Sequence, residues 1–135
     1  DNNVIAFFWS PDSSRLAYLT PDLTGGVSSA QWVNHSTITI QNTPEITLIW
    51  NILNLADNNS RSIARFTPTE TMIYLLSYFD QFNQSHRLWS PDSRYLVYGE
   101  MLAPQTSTIS YIDTLDGNPT PIYIMPGELG IWSYN

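Results

Sequence analysis

Two stretches of this chain are nearly the same phrase: WSPDSSRLAYL at positions 9–19 and WSPDSRYLVYG at positions 89–99. Repetition at this fidelity marks a repeated structural unit, and it limits the folds open to the chain more than any other feature. Within each copy, Ser-Pro-Asp-Ser has turn chemistry. Proline presets φ at the second position of a type I turn, serine or aspartate is favoured at the first, and an aspartate side chain accepts nearby backbone N–H groups. Short apolar runs flank both turns, VIAFFW and RLAYL around the first, HRLW and RYLVY around the second. A turn between two β-rich runs predicts an antiparallel hairpin. The run after each turn is apolar at nearly every position, so both sheet faces are expected to be buried, as when sheets stack on sheets; a simple sandwich would alternate more cleanly.

Two further hairpins follow the same logic. TLIWNILNLADNNSRSIARF reads as strand, polar turn at Asp57–Ser60, strand. TISYIDTLDGNPTPIYIM reads the same way around Asp116-Gly117, a strong turn signal. A hairpin of the first kind followed by one of the second makes a four-stranded antiparallel unit, and the pair occurs twice. Such a unit is the blade of a β-propeller.

The phrase W-S-P-D-S-R-x-L-x-Y resembles the TolB-like, or PD40 (WD40-like), β-propeller repeat, in which an S-P-D-G turn joins the two inner strands of each blade. Trp9, Ser10, Pro11 and Asp12 carry the resemblance in the first copy, and Trp89, Ser90, Pro91 and Asp92 in the second. Both copies depart from the pattern at Ser13 and Ser93, where glycine is usual; a type I turn tolerates serine there. The resemblance implies an all-β protein of propeller blades and a non-enzymatic module recognising a protein or peptide on one face of the ring. It also implies a bacterial setting outside the cytoplasm, periplasmic or secreted. The alternative is the propeller domain of a larger serine peptidase or polysaccharide-acting enzyme, gating substrate access to a catalytic site elsewhere. A stand-alone carbohydrate binder, the third reading, would show exposed coplanar aromatics near Phe79 and Phe82.

Spacing adds detail. Trp9 and Trp89 stand 89 − 9 = 80 residues apart, against roughly 40–45 for a blade of this kind. Two insertions account for the excess. The first, Pro21–Ser36, is Gly/Ser-rich and reads as a long loop leading to an extra strand at Thr37–Gln41. The second follows the outer strand of blade one. There Thr67-Pro-Thr-Glu70 has the form of a capping box with proline at the first helical position. Met72, Leu75, Leu76, Phe79 and Phe82 then keep helical spacing. This predicts a short helix over about 70–83, with a β-strand at 72–78 as the alternative. Blade one is thus expected over about 4–67, blade two over about 86–125, and GIWSYN at 130–135 reads as the start of a third. About two and a half blades leave packing faces and a strand edge open. The chain is therefore expected to be a piece of a longer protein, or to associate with itself through those faces or edges. Its opening on Asp1 rather than Met fits a piece whose targeting segment lies outside it.

Composition narrows the function classes. Of 135 residues, 42% are hydrophobic and 13% aromatic with only 13% charged, which favours a packed body over disorder. The five basic residues are all arginine, so neither a Schiff-base nor a P-loop lysine exists. A net charge of −7 opposes binding to nucleic acid and to anionic lipid. No apolar run is long enough to insert in a membrane as a helix. Without cysteine there is no disulfide or thiolate chemistry.

Catalytic signals are sparse. There is no G-x-S-x-G elbow, and neither His35 nor His86 has a neighbour at metal-ligand spacing. Asp113 and Asp116 lack the spacing and acidic count of a calcium loop, and a hairpin turn explains them. No catalytic residue, metal or cofactor is expected. The sharpest constellation is Tyr78, Phe79, Asp80, Phe82, His86 and Arg87, aromatic and titratable groups in an inserted segment. As a patch for a peptide or glycan, its aromatics would supply area and Arg87 or His86 orientation. The competing reading makes the aromatics the core face of the helix, with His86 and Arg87 tying the insertion to the next strand. Asp12 and Asp92 are expected to satisfy turn N–H groups. Trp9 and Trp89 are expected to act as wedges between neighbouring blades.

Overall fold

A computed structural model describes residues 3–23, 46–78 and 87–134. Four strands form the first sheet as a meander: β1 (Ala6–Trp9), β2 (Arg15–Pro21), β3 (Leu48–Asn54) and β4 (Asn59–Phe66), in the order β1-β2-β3-β4 and antiparallel throughout. A helix, α1 (Glu70–Ser77), separates it from a second antiparallel sheet of β5 (Tyr95–Ala103), β6 (Thr106–Asp113) and β7 (Ile122–Pro126). The fold is all-β apart from α1, with two blade-like meanders joined by a helical insertion.

The second sheet has a stub where the first has β1. Leu88 and Trp89 make a single bridge to β5, Trp89 opposite Leu96, with Val97 N donating to Leu88 O at 2.9 Å. The described residues there begin only at Arg87. Three local expectations shift. The β3–β4 turn occupies residues 55–58, with Asn58 at φ 58°, and β4 already begins at Asn59. The cap of α1 is Thr69, not Thr67: its hydroxyl accepts from Met72 N at 3.2 Å, and Pro68 lies outside the helix, bridging to Glu100. The helix ends at Ser77, and the expected stretch 79–83 lies outside the described residues, as do most of the first insertion and the expected strand at Thr37–Gln41.

Alternation places the core. On β2, Ala17 and Leu19 point to the same side as Ala6 and Phe8 of β1 and Leu48, Trp50 and Ile52 of β3, all buried. On β5, Leu96 and Tyr98 face them with Ile112 of β6. An aromatic nucleus joins the sheets: Phe66 stacks on Trp50 at 6.0 Å and meets the Tyr98 ring at 4.7 Å. Met72, Leu75 and Leu76 bury the inner face of α1.

Residues 127–134 cross the opposite face of the second sheet. A Cβ on Gly99 would lie 1.7 Å from Glu128 O, and one on Gly130 2.8 Å from both Val97 and Ile109. Only glycine lets the chain approach that closely. Trp132 N donates to Arg87 O at 2.9 Å and the Tyr134 hydroxyl to Trp89 O at 2.6 Å. β5 is thereby covered on both faces from Leu96 to Glu100. No described helix is long and apolar enough to cross a membrane.

Candidate functional site

The two copies of the repeated phrase build the same turn. Ser13 N donates to Ser10 O, and Ser93 N to Ser90 O, each at 2.9 Å, the closure of a type I turn with proline at its second position. Asp12 Oδ1 accepts from Ser10 Oγ at 2.7 Å and from Ser14 N at 2.9 Å; Asp92 Oδ1 accepts from Ser90 Oγ and from Arg94 N. Those bonds, led by the Ser10 hydroxyl, hold the Asp12 carboxyl below the usual carboxylate range. Tolerance of serine at Ser13 and Ser93 has a qualification. Both lie just past the two central turn residues in the left-handed region, at φ 60°, the conformation that explains glycine as the usual occupant.

The turns meet across the two sheets. Asp12 N donates to Ser93 Oγ at 3.0 Å, so the second copy's serine closes a bond on the first copy's backbone. Trp89 is 2% exposed and donates from Nε1 to Phe8 O at 2.9 Å, lodged between the sheets. Trp9 is a correction: at 53% exposure it is no wedge within this chain. The cause is the order of stacking. Trp89 and Tyr98 lie on the face turned toward the first sheet, whereas the equivalent face of the first sheet, with Trp9 and Tyr18, is turned away from the second.

Arg15 fastens this junction, although nothing in the sequence singled it out. Its guanidinium donates to Thr114 Oγ1 at 2.6 Å and to Ser93 O, and lies 5.3 Å from the Trp89 ring centroid. Arg61 donates to Thr114 O at 2.6 Å. Burial lowers the Arg15 pKa, with Asp12 opposing. Among the described residues, the two arginines thus bind a backbone-rich surface between the sheets without a carboxylate in hydrogen-bond contact, a role that requires their neighbours in space to be known.

Of the sequence-derived ligand patch, Tyr78 and Arg87 are described; Phe79, Asp80, Phe82 and His86 lie outside the described residues. Tyr78 caps the C-terminus of α1, its ring 4.9 Å from that of Tyr74. Arg87 is exposed and its guanidinium lies 4.4 Å from the Tyr134 ring centroid. Tyr74 was missed by sequence reasoning. It is 64% exposed on the side of α1 away from Met72 and Leu76, and the Tyr74/Tyr78 spacing of four residues was a legible signal.

A buried polar group lies in the second sheet. Glu100 accepts from Ser110 Oγ at 2.9 Å, and burial raises its pKa. Beside it on the same face, the Tyr98 hydroxyl has no hydrogen-bond partner among the described residues, and burial pushes its pKa up, with the Glu100 charge adding to the effect. Asp113 is engaged by Arg94 Nη2 at 2.8 Å, and Asp116 Oδ1 by Asn118 N at 3.0 Å. Among the described residues no three His, Cys, Asp or Glu side chains gather as metal ligands.

No family model matches the sequence, and no curated protein matches it either. Among solved structures, the chain is similar to a crystal structure of TolB from Acinetobacter baumannii at 13% identity and a TM-score of 0.43, over 89% of this chain. It spans 21% of the length of that protein.

Proposed function

We propose that the chain is a non-enzymatic protein- or peptide-interaction module, a segment of a TolB-like β-propeller acting outside the cytoplasm. The observation that carries this reading is the Tyr74–Tyr78 pair. Two aromatic rings stand at the outer side and C-terminal end of a helix whose other face is anchored in the core. The exposed Tyr74 ring, braced by the half-buried Tyr78 on a rigid element, supplies contact area at low entropic cost, which suits peptide recognition. The helix is an insertion between two stacked meanders, with its inner face fixed in their common core.

The test uses a random peptide library displayed on phage and panned on the whole chain. Enriched peptides are then measured by fluorescence anisotropy against wild type, Tyr74→Ser and Ile124→Lys. The expected result is at least about tenfold weaker binding for Tyr74→Ser, a loss of about 1.4 kcal/mol, with Ile124→Lys unchanged. Failure of any peptide to enrich, or equal binding by Tyr74→Ser, overturns the reading.

A further inference from the structure

The outer strands of the two sheets are built differently. β4 reads NSRSIARF, with Arg61 and Arg65 and a polar first half. β7 reads IYIMP, and all five residues are exposed. Ile122, Tyr123, Ile124 and Met125 are each about half exposed, Ile124 at 49%. Among the described residues β7 pairs with β6 alone, leaving its outer edge open. Natural edge strands are blunted by charge, proline or a bulge; β4 carries charge, whereas β7 carries none and has only Pro126 at its end and an irregularity at Ile124.

We propose that β7 is a self-association edge, on which β7 of a second copy adds antiparallel about a two-fold axis at Ile124. Charge favours this occupant. The chain carries −7 overall, so most approaches of one copy to another are repulsive, but no charged residue lies between Asp116 and Glu128. Antiparallel pairing centred on Ile124 sets Tyr123 opposite Met125 and Ile122 opposite Pro126, so the paired strands bring no charged side chains together. Ile124 also occupies the irregularity in the β6–β7 register: Met125 faces Ile109 and Tyr123 faces Ser110, leaving Ile124 without a partner on β6.

The interface is small. Covering side chains already half buried removes on the order of 400 Å² per copy, about half of a standard interface, which makes the dimer weak and concentration-dependent. The inference does not depend on peptide binding at α1.

The test is light scattering of the whole chain from about 20 μM to about 1 mM, the range for weak association. Wild type is expected to rise toward twice the chain mass, and Ile124→Lys, with an unchanged urea midpoint, to stay at one. Because the chain has no cysteine, Ile124→Cys gives an independent readout. It is expected to form an intermolecular disulfide under mild oxidation at least about tenfold faster than Ile122→Cys, whose counterpart in the pair is Pro126. A monomer at the highest concentration, a dimer that survives Ile124→Lys, or equal cross-linking of the two cysteine variants overturns the proposal.

Discussion

Ser13 and Ser93 occupy the same place in the two turns and share the same φ of 60°, yet they should respond differently to glycine. A residue with a Cβ in the left-handed region costs about 1–2 kcal/mol. Glycine removes that cost but returns about 0.5–1 kcal/mol through its freer unfolded chain. Ser13→Gly should therefore stabilise by about 0.5–1 kcal/mol, since the Ser13 side chain is exposed. Ser93 is buried, and its hydroxyl receives Asp12 N from the other sheet at 3.0 Å. Losing that bond costs about 0.5–1.5 kcal/mol, more if the amide is left dry. Ser93→Gly should then fall between about 0.5 kcal/mol stabilising and about 1 kcal/mol destabilising, below Ser13→Gly, and Ser93→Ala, which keeps the strain and loses the bond, lower still. Urea denaturation followed by tryptophan fluorescence separates them, because 1 kcal/mol moves the midpoint by about 0.5 M at a slope of about 2 kcal/mol/M. Equal shifts for the two glycine variants, or a lower midpoint for Ser13→Gly, would refute the assignment of a cross-sheet role to Ser93.

Three further outcomes are expected. Trp89→Ala should cost about 3–5 kcal/mol, as for a large aromatic removed from a packed interior, while Trp9→Ala costs below about 1 kcal/mol; comparable losses in chemical denaturation would reject the asymmetry between the copies. Arg15→Ala should cost about 2 kcal/mol by leaving Ser93 O without its donor and removing one bond from Thr114 Oγ1, which keeps its own to Arg94 O, and Arg15→Lys should recover less than half, because it lacks the planar fork that meets both acceptors; full recovery by lysine would remove the fork geometry from the explanation. Glu100 sets a pH dependence. Its folded pKa is raised by burial above the ordinary 4.5, so from that pH upward the folded state holds a proton the unfolded chain has released, and stability falls as pH rises through the folded value. Asp12 and Asp113, whose pKa values are lowered, act only below 3.8 and lie outside that window. The urea midpoint should decline as pH rises above the ordinary 4.5 in wild type and stay flatter in Glu100→Gln; parallel curves would show that Glu100 does not titrate there.

What could be read from the sequence was local. The Ser-Pro-Asp-Ser turns, the strand order and the buried face of α1 each depend on residues within a few positions of one another. The cap moved from Thr67 to Thr69 because a threonine two residues on was equally able to accept from the helix, and Pro68 was free to leave it and bridge to Glu100. Trp9 and Trp89 could not be told apart, since exposure depends on which side of each sheet receives the next element. Arg15 carried no motif at all. Of the ligand patch, sequence reasoning included Tyr78 and omitted Tyr74, because Tyr74 lies off the Met72, Leu75, Leu76 stripe and off the run of aromatic and titratable residues that begins at Tyr78.

The differences between the copies explain the stacking better than their identities do. Where the first copy has Leu19, filling the space between the sheets, the second has Gly99, hollowed so that Glu128 O can lie against the strand. Where the first has Arg15, reaching across to Thr114, the second has Tyr95, which packs near Trp132 at 6.4 Å. In each pair the same position faces the element that follows in the chain: a whole sheet in one case, an extended segment in the other. The shared phrase fixes the turn and the strand direction, and positions 15 and 19 with their counterparts 95 and 99 fix what can lie against the sheet. Gly99→Ala should therefore displace residues 127–134, and amide hydrogen exchange should show lost protection at Trp132 N while Ser13 N in the first turn keeps its own. Unchanged protection at Trp132 would mean that the segment is held by Tyr134 and Arg87 rather than admitted by the missing Cβ.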